Sequence, residues 1–204
     1  CGLGHLVLCP KGDFAEAFAP SNIALIKYWG KRDVGYNLPQ TDSISVSLDP
    51  KGAQTKLTPA KCDQLILNDQ ILESQDPVFV RLFSYLDALF PGRVPLAVHS
   101  HSSVAIAAGL ASSASGFAAL VLALDKLCQW QLEPTELSIL ARLGSGSAAR
   151  SIYPKAWVRM NKGQDPSGRD SFATAYPGGF SDACLGVVPI SCAKKNVSST
   201  KAMG

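Results

Sequence analysis

The chain has 204 residues, 47% hydrophobic and 17% charged, which excludes a disordered polypeptide and allows a buried core of one domain or one domain plus part of another. A net charge of +3 spread over scattered Lys and Arg gives no stripe for nucleic acid, and no apolar run reaches the ~20 residues of a membrane span. Six cysteines without a C-x-x-C pair or a pairing rhythm read as reduced thiols in a cytoplasmic setting.

Taken in chain order, residues 14–18 alternate apolar and polar and then meet Pro20, predicting a strand that enters a functional turn. Ser43 to Leu48 alternates cleanly, with Ile44, Val46 and Leu48 on one face and three serines on the other, a half-exposed strand. Residues 64–67 and 70–72 flank Asn68-Asp69 and predict a hairpin around a two-residue turn. Asp76-Pro77 is a cap followed by a first-turn proline; the helix it starts runs to Pro91-Gly92. Residues 94–99 predict a strand leading to Gly109-Leu-Ala-Ser-Ser-Ala-Ser-Gly116. Beyond that loop, apolar residues at 117, 120, 121, 124, 127 and 128 mark the buried face of a helix. A second helix starts near Pro134 and breaks at Gly144-Ser-Gly-Ser147, residues 161–170 read as a polar surface loop, and 183–190 as a strand. The order implies a mixed α+β fold with antiparallel strands.

Three segments suit an anion. The small residues at 109–116 run into a helix N-terminus, whose unpaired N–H groups and partial positive charge suit a phosphate; close packing of the helix on a sheet is the competing explanation. Between Ser21 and Asp33, Lys27, Lys31 and Arg32 crowd against Tyr28 and Trp29. On a helical turn Lys27 and Lys31 would share a face and repel unless an anion lay between them; otherwise the segment is a solvated basic turn. The serines of 43–47 either line the same pocket or form an outer sheet face. Gly144-Ser-Gly-Ser147 is followed by Arg150, whose planar guanidinium can grip a carboxylate or phosphate with two donors. Together the three favour a polyanionic substrate. His99-x-His101 has no carboxylate or Cys nearby, so zinc is not expected and no metal ligand is assigned.

These residues resemble the diphosphomevalonate decarboxylase family of the GHMP kinase superfamily. The resemblance rests on Asn22-Ile-Ala-Leu-Ile-Lys-Tyr-Trp-Gly-Lys-Arg-Asp33, Asn37-Leu-Pro39 with Ser43-Ile-Ser-Val46, Gly109 to Gly116, and Gly144-Ser-Gly-Ser147 with Arg150-Ser151, with a weaker match at Val197-Ser-Ser-Thr200. It implies a GHMP-kinase-type N-terminal α+β domain over residues 1–180, including a left-handed βαβ crossover. The start of a ferredoxin-like second domain would follow at 181–204, with the active site between the two. The activity implied is ATP-dependent decarboxylation of mevalonate 5-diphosphate to isopentenyl diphosphate through a 3-phosphorylated intermediate. Mg²⁺ would be required, in the mevalonate pathway that feeds isoprenoid and sterol synthesis. Carried over residue by residue, Tyr28, Lys31, Ser145 and Ser147 would grip the substrate diphosphate. Asn22 and Arg150 would fix its carboxylate, and Lys27 would face the reacting oxygen. Gly109, Leu110, Ala111, Ser112, Ser113, Ser198 and Ser199 would hold ATP. The intact protein is expected to be a homodimer. A sister kinase that does not decarboxylate, or a non-catalytic phosphate-binding fragment, are the alternatives. No segment here matches the Asp-Ala-Gly-x-Asn setting of the family's catalytic Asp, so the 204 residues alone are expected to be a fragment without turnover.

Overall fold

In a computed structural model, which describes residues 4, 6–103, 112–178 and 186, the elements in chain order are as follows. They are β1 (Ala15–Ile26), β2 (Lys31–Asp33), β3 (Leu38–Pro39), β4 (Ser43–Pro59), β5 (Gln64–Leu67), β6 (Gln70–Leu72), α1 (Pro77–Leu89), β7 (Leu96–Ser102), α2 (Ser112–Cys128), α3 (Pro134–Gly144), a 3₁₀ turn (Ala148–Ile152), β8 (Trp157–Met160) and β9 (Ala173–Ala175). Seven strands form one sheet around the 17-residue β4. β1 runs antiparallel along both halves of β4, from Ala15↔Leu57 to Ile26↔Ile44. β7 pairs with residues 53–59 of β4, and β8, extended by β9, pairs with residues 43–46. β5 lies parallel to β7, with β6 outside it, so the sheet is mixed. β2 and β3 form a separate small hairpin.

Local chemistry accounts for the element ends. Asp76 accepts a hydrogen bond from the Val78 amide at 2.7 Å and Pro77 opens α1. Asn68 and Asp69 both have left-handed φ (48° and 64°), the backbone a two-residue hairpin turn needs. Glu133 and Glu136 form a capping box at the start of α3. In α2, Phe117, Leu120, Val121, Leu124, Leu127 and Cys128 are all buried, as their spacing predicts, in one core with Ala15, Ala17 and Ala19 of β1 and Leu57 of β4. Alanines on β1 let α2 approach the sheet closely.

Four expectations change. β1 does not end at Pro20 but continues to Ile26, because residues 22–26 pair with the start of β4. Lys27 therefore follows a strand and Lys31 opens β2, so the two lysines do not share a helical face. The strand predicted over 94–99 is Leu96–Ser102. The face of β4 carrying Ser43 and Ser45 is fully buried, whereas Ile44 and Val46 are only half-buried. Gly109, Leu110, Ala111, the strand expected over 183–190, and the second domain expected over 181–204, with Ser198 and Ser199, lie outside the described residues, Gly186 excepted.

Candidate functional site

The Gly144-Ser-Gly-Ser147 turn ends α3 and feeds the 3₁₀ turn that carries Arg150. Arg150 is 3% exposed, and its guanidinium points onto the serine face of β4: Nη1 donates to Ser43 Oγ at 2.8 Å and Nε to Ser45 Oγ at 3.1 Å. This is why a row of hydroxyls is buried there. They solvate a cation that water cannot reach. Among the described residues no carboxylate pairs with Arg150. Burial lowers its pKa to about 10, an effect that the nearby Tyr28 phenol opposes.

Strand β1 brings a second amide to the same place. Asn22, also buried, donates from Nδ2 to Ser151 Oγ at 2.7 Å and to the Ser147 carbonyl at 3.1 Å. Tyr28, in the connection after β1, is buried with its hydroxyl against Gly146: a Cβ there would lie 2.5 Å from the phenolic oxygen. Burial raises the Tyr28 pKa, and the Arg150 charge works the other way. Ser145 Oγ and Ser147 Oγ are 3.3 Å apart across that glycine.

Lys31 Nζ donates to Asn37 Oδ1 at 2.7 Å, and Asn37 Nδ2 donates to the Leu143 carbonyl at 2.9 Å. Burial and then the Arg81 charge lower the Lys31 pKa. Arg81, from α1, donates to the Gly144 carbonyl at 2.8 Å and lies 5.1 Å above the Phe117 ring. Asn22, Tyr28, Lys31, Ser145, Ser147 and Arg150 thus lie around one turn. Trp29, counted with them on sequence, is 65% exposed. Lys27 is exposed and makes no side-chain hydrogen bond or ion pair among the described residues. Arg81 escapes a sequence reading, and Asn37 enters it only within the Asn37-Leu-Pro39 match, with no role assigned. Arg81 sits in an ordinary helical pattern, and its contacts with Gly144 and Phe117 follow only from the way α1 packs. Asn37 carries one local hint, since asparagine tolerates left-handed φ, here 52°.

The start of α2 borders an apolar cavity of about 320 Å³ between sheet and helices. Its wall includes Leu65, Val78, Val98, Phe117 and Leu120, with Ser113 and Arg81 at polar positions. Ser113 is exposed, and Ser115, one turn position further, accepts a hydrogen bond from Ser21 at 3.3 Å. Among the described residues no three His, Cys, Asp or Glu side chains gather as a metal site, and no helix is long and apolar enough to cross a membrane.

A mixed sheet covered by α2, with Asn22, Tyr28 and Arg150 buried around a small-residue turn, defines a GHMP-type α+β domain. Residues 19–173 match the family model described as the diphosphomevalonate decarboxylase-like N-terminal domain. The chain belongs to the diphosphomevalonate decarboxylase family. It is 38% identical to diphosphomevalonate decarboxylase mvd1 of Aspergillus fumigatus, over 93% of this chain and 52% of that protein. The fold is similar to the crystal structure of mevalonate diphosphate decarboxylase from Staphylococcus aureus, with a TM-score of 0.73 and 37% identity over 81% of this chain and 50% of that one. It is likewise similar to MDDEF in complex with MVAPP, AMPPCP and magnesium, with a TM-score of 0.71 and 38% identity over 80% and 50% of the two chains. The chain spans about half the length of the curated relatives it matches.

Proposed function

We propose that the protein to which this chain belongs converts mevalonate 5-diphosphate to isopentenyl diphosphate, consuming ATP and releasing CO₂, ADP and phosphate. The observation that carries this reading is the Arg150 guanidinium, buried beside Asn22 and Tyr28 and opposed by hydroxyls rather than by a carboxylate. A buried cation without an anion is costly, and a substrate carboxylate supplies the missing charge. Lys31 and Arg81, brought near each other beside the same turn, favour a second, more highly charged group. The substrate has one carboxylate and one diphosphate. The relative whose complex contains MVAPP, AMPPCP and magnesium supports the same assignment.

In this reading Arg150 and Asn22 hold the carboxylate, and Tyr28, Lys31, Ser145 and Ser147 hold the diphosphate. Lys27 faces the reacting oxygen. The domain that does this occupies residues 1–180, with a second beginning at 181–204. The nucleotide fits the surroundings of α2: its base suits the apolar cavity, and its phosphates suit the helix N-terminus, through residues 109–113 with Ser198 and Ser199. When bound, ATP supplies the phosphoryl group that turns the tertiary hydroxyl into a leaving group, without which a β-hydroxy acid has no electron sink for loss of CO₂. Mg²⁺ would be held chiefly by the phosphates. The residues of this chain contribute positioning and fixed charge. Burial of Arg150, Asn22 and Tyr28 excludes water and strengthens each electrostatic contact to the substrate. A homodimer in the cytoplasm, serving sterol and isoprenoid synthesis, completes the proposal.

The test is to supply the full protein with ATP, Mg²⁺ and mevalonate 5-diphosphate and to follow CO₂. Stoichiometric CO₂ and ADP are expected, with Ser113→Ala chiefly impairing the use of ATP. Accumulation of a phosphorylated, undecarboxylated product would overturn the decarboxylase reading.

A further inference from the structure

Two hydrogen bonds tie the β2–β3 hairpin to the end of α3, and one of the residues they hold, Asn37, also contacts Lys31. Arg142, in the last turn of α3 and fully buried, donates from Nε to the Tyr36 carbonyl at 3.1 Å. It also donates from Nη1 to the Gly168 carbonyl at 2.9 Å and to the Ser171 carbonyl. The neighbouring residue on each side repeats the connection, because Asn37 Nδ2 donates to the Leu143 carbonyl at 2.9 Å. A buried arginine held by backbone carbonyls is a costly way to fasten a turn: burial, with the Arg32 charge adding to it and the Asp170 charge opposing, lowers its pKa to about 10. The fastened turn presents Asn37 Oδ1, which accepts from Lys31 Nζ at 2.7 Å. An ammonium has three donors, so this bond fixes its direction and leaves two for a ligand.

We propose that Asn37 is a positioning residue, one that aims the Lys31 ammonium at the anionic group bound beside the Ser145–Ser147 turn. This rests on the reading that Lys31 binds the substrate diphosphate. Asn37 itself need not touch the ligand. A lysine side chain is long and flexible, and holding it in one rotamer before the anion arrives removes an entropic cost at the moment of binding. Asn37 suits the position twice over, since its backbone is left-handed (φ 52°) and its amide offers an acceptor to Lys31 while donating to Leu143.

The experiment uses Asn37→Gly, which keeps the left-handed backbone unstrained while deleting the amide. Inorganic pyrophosphate binding to the full protein is measured by calorimetry for wild type, Asn37→Gly, Lys31→Ala and the double variant. Asn37→Gly is expected to raise the Kd about tenfold, and to add nothing once Lys31 is alanine. In turnover assays the same change should appear as a higher KM for mevalonate 5-diphosphate with kcat within twofold of wild type. Wild-type affinity in Asn37→Gly, or additive losses in the double variant, would overturn the proposal. Absence of CO₂ release with intact, non-additive pyrophosphate binding would instead sink the decarboxylase reading and leave the role of Asn37 standing.

Discussion

Arg150 and Ser43 lie 107 residues apart in sequence, and the guanidinium Nη1 sits 2.8 Å from the serine oxygen with both side chains buried. The bond fixes the arginine on the wall of the cleft formed by β4. Replacing Ser43 by alanine removes an acceptor from a buried cation, and no water is there to replace it. A loss of about 1–3 kcal/mol is expected, shared between folding stability and substrate affinity. Chemical denaturation of Ser43→Ala together with its KM checks this, and Ser43→Thr, which restores the hydroxyl, should recover most of the loss.

Arg150→Lys tests the geometry of the carboxylate contact rather than its charge. Lysine keeps the positive charge but cannot reach Ser43, Ser45 and a substrate carboxylate together from one planar group. On the order of 2–4 kcal/mol of transition-state binding should disappear, a fall in kcat/KM of roughly thirty- to a thousandfold. The measurement is steady-state CO₂ release across a range of mevalonate 5-diphosphate concentrations. Near-wild-type kcat/KM would remove Arg150 from the site.

Gly146 is constrained by space and not by φ. A Cβ at this position would lie 2.5 Å from the Tyr28 oxygen and 3.4 Å from the carbon that bears it. Gly146→Ala should therefore push the phenol aside and raise KM, at a cost of about 1–3 kcal/mol typical of overpacking. Deleting the hydroxyl relieves the clash, so Tyr28→Phe with Gly146→Ala should fold more stably than Gly146→Ala alone. Thermal unfolding of the single and double variants reads this directly. If the two changes destabilise additively, Tyr28 and Gly146 are not in the contact described.

Much of this architecture was legible from residue patterns alone. The cap at Asp76, the helix start near Pro134, the Asn68-Asp69 turn and the apolar face of α2 are local features, and local chemistry predicts them. The Gly144–Ser147 turn and Arg150 were also visible, because small residues followed by arginine have a recognisable chemistry. The failures concern long-range pairing. Nothing near Pro20 reveals that residues 22–26 will find a partner in β4, and that pairing denies Lys27 and Lys31 the helical turn they were expected to share. The burial of Ser43 and Ser45 was equally hidden. Alternation told which residues share a face, but only the arrival of Arg150 from another part of the chain decides that the polar face is the inner one. Arg81 and Arg142 read as ordinary helix-surface arginines, since the carbonyls that receive them belong to other elements.

The last prediction concerns pH and lies away from the cleft. Arg93 grips Asp63 with two hydrogen bonds, of 2.8 and 2.6 Å, while the Leu96 amide donates to the same carboxylate at 3.0 Å. The Arg93 guanidinium also stacks 5.3 Å from the Phe83 ring, so the pair fastens β5 and β7 to α1. Burial acts to raise the Asp63 pKa, but the Arg93 bonds, the Leu96 amide and the Arg93 charge together prevail and hold it below the ordinary 3.8. A carboxylate with a depressed folded pKa contributes stability that is fully present above 3.8 and is lost as pH falls through the lower folded value. Asp63→Asn should therefore be less stable than wild type at pH 7, and the difference should close as the pH falls through the lowered folded pKa. Urea denaturation of both proteins between pH 7 and pH 2.5 gives the two curves. A gap that stays constant across that range would show that Asp63 acts through its shape and hydrogen bonds rather than through its charge.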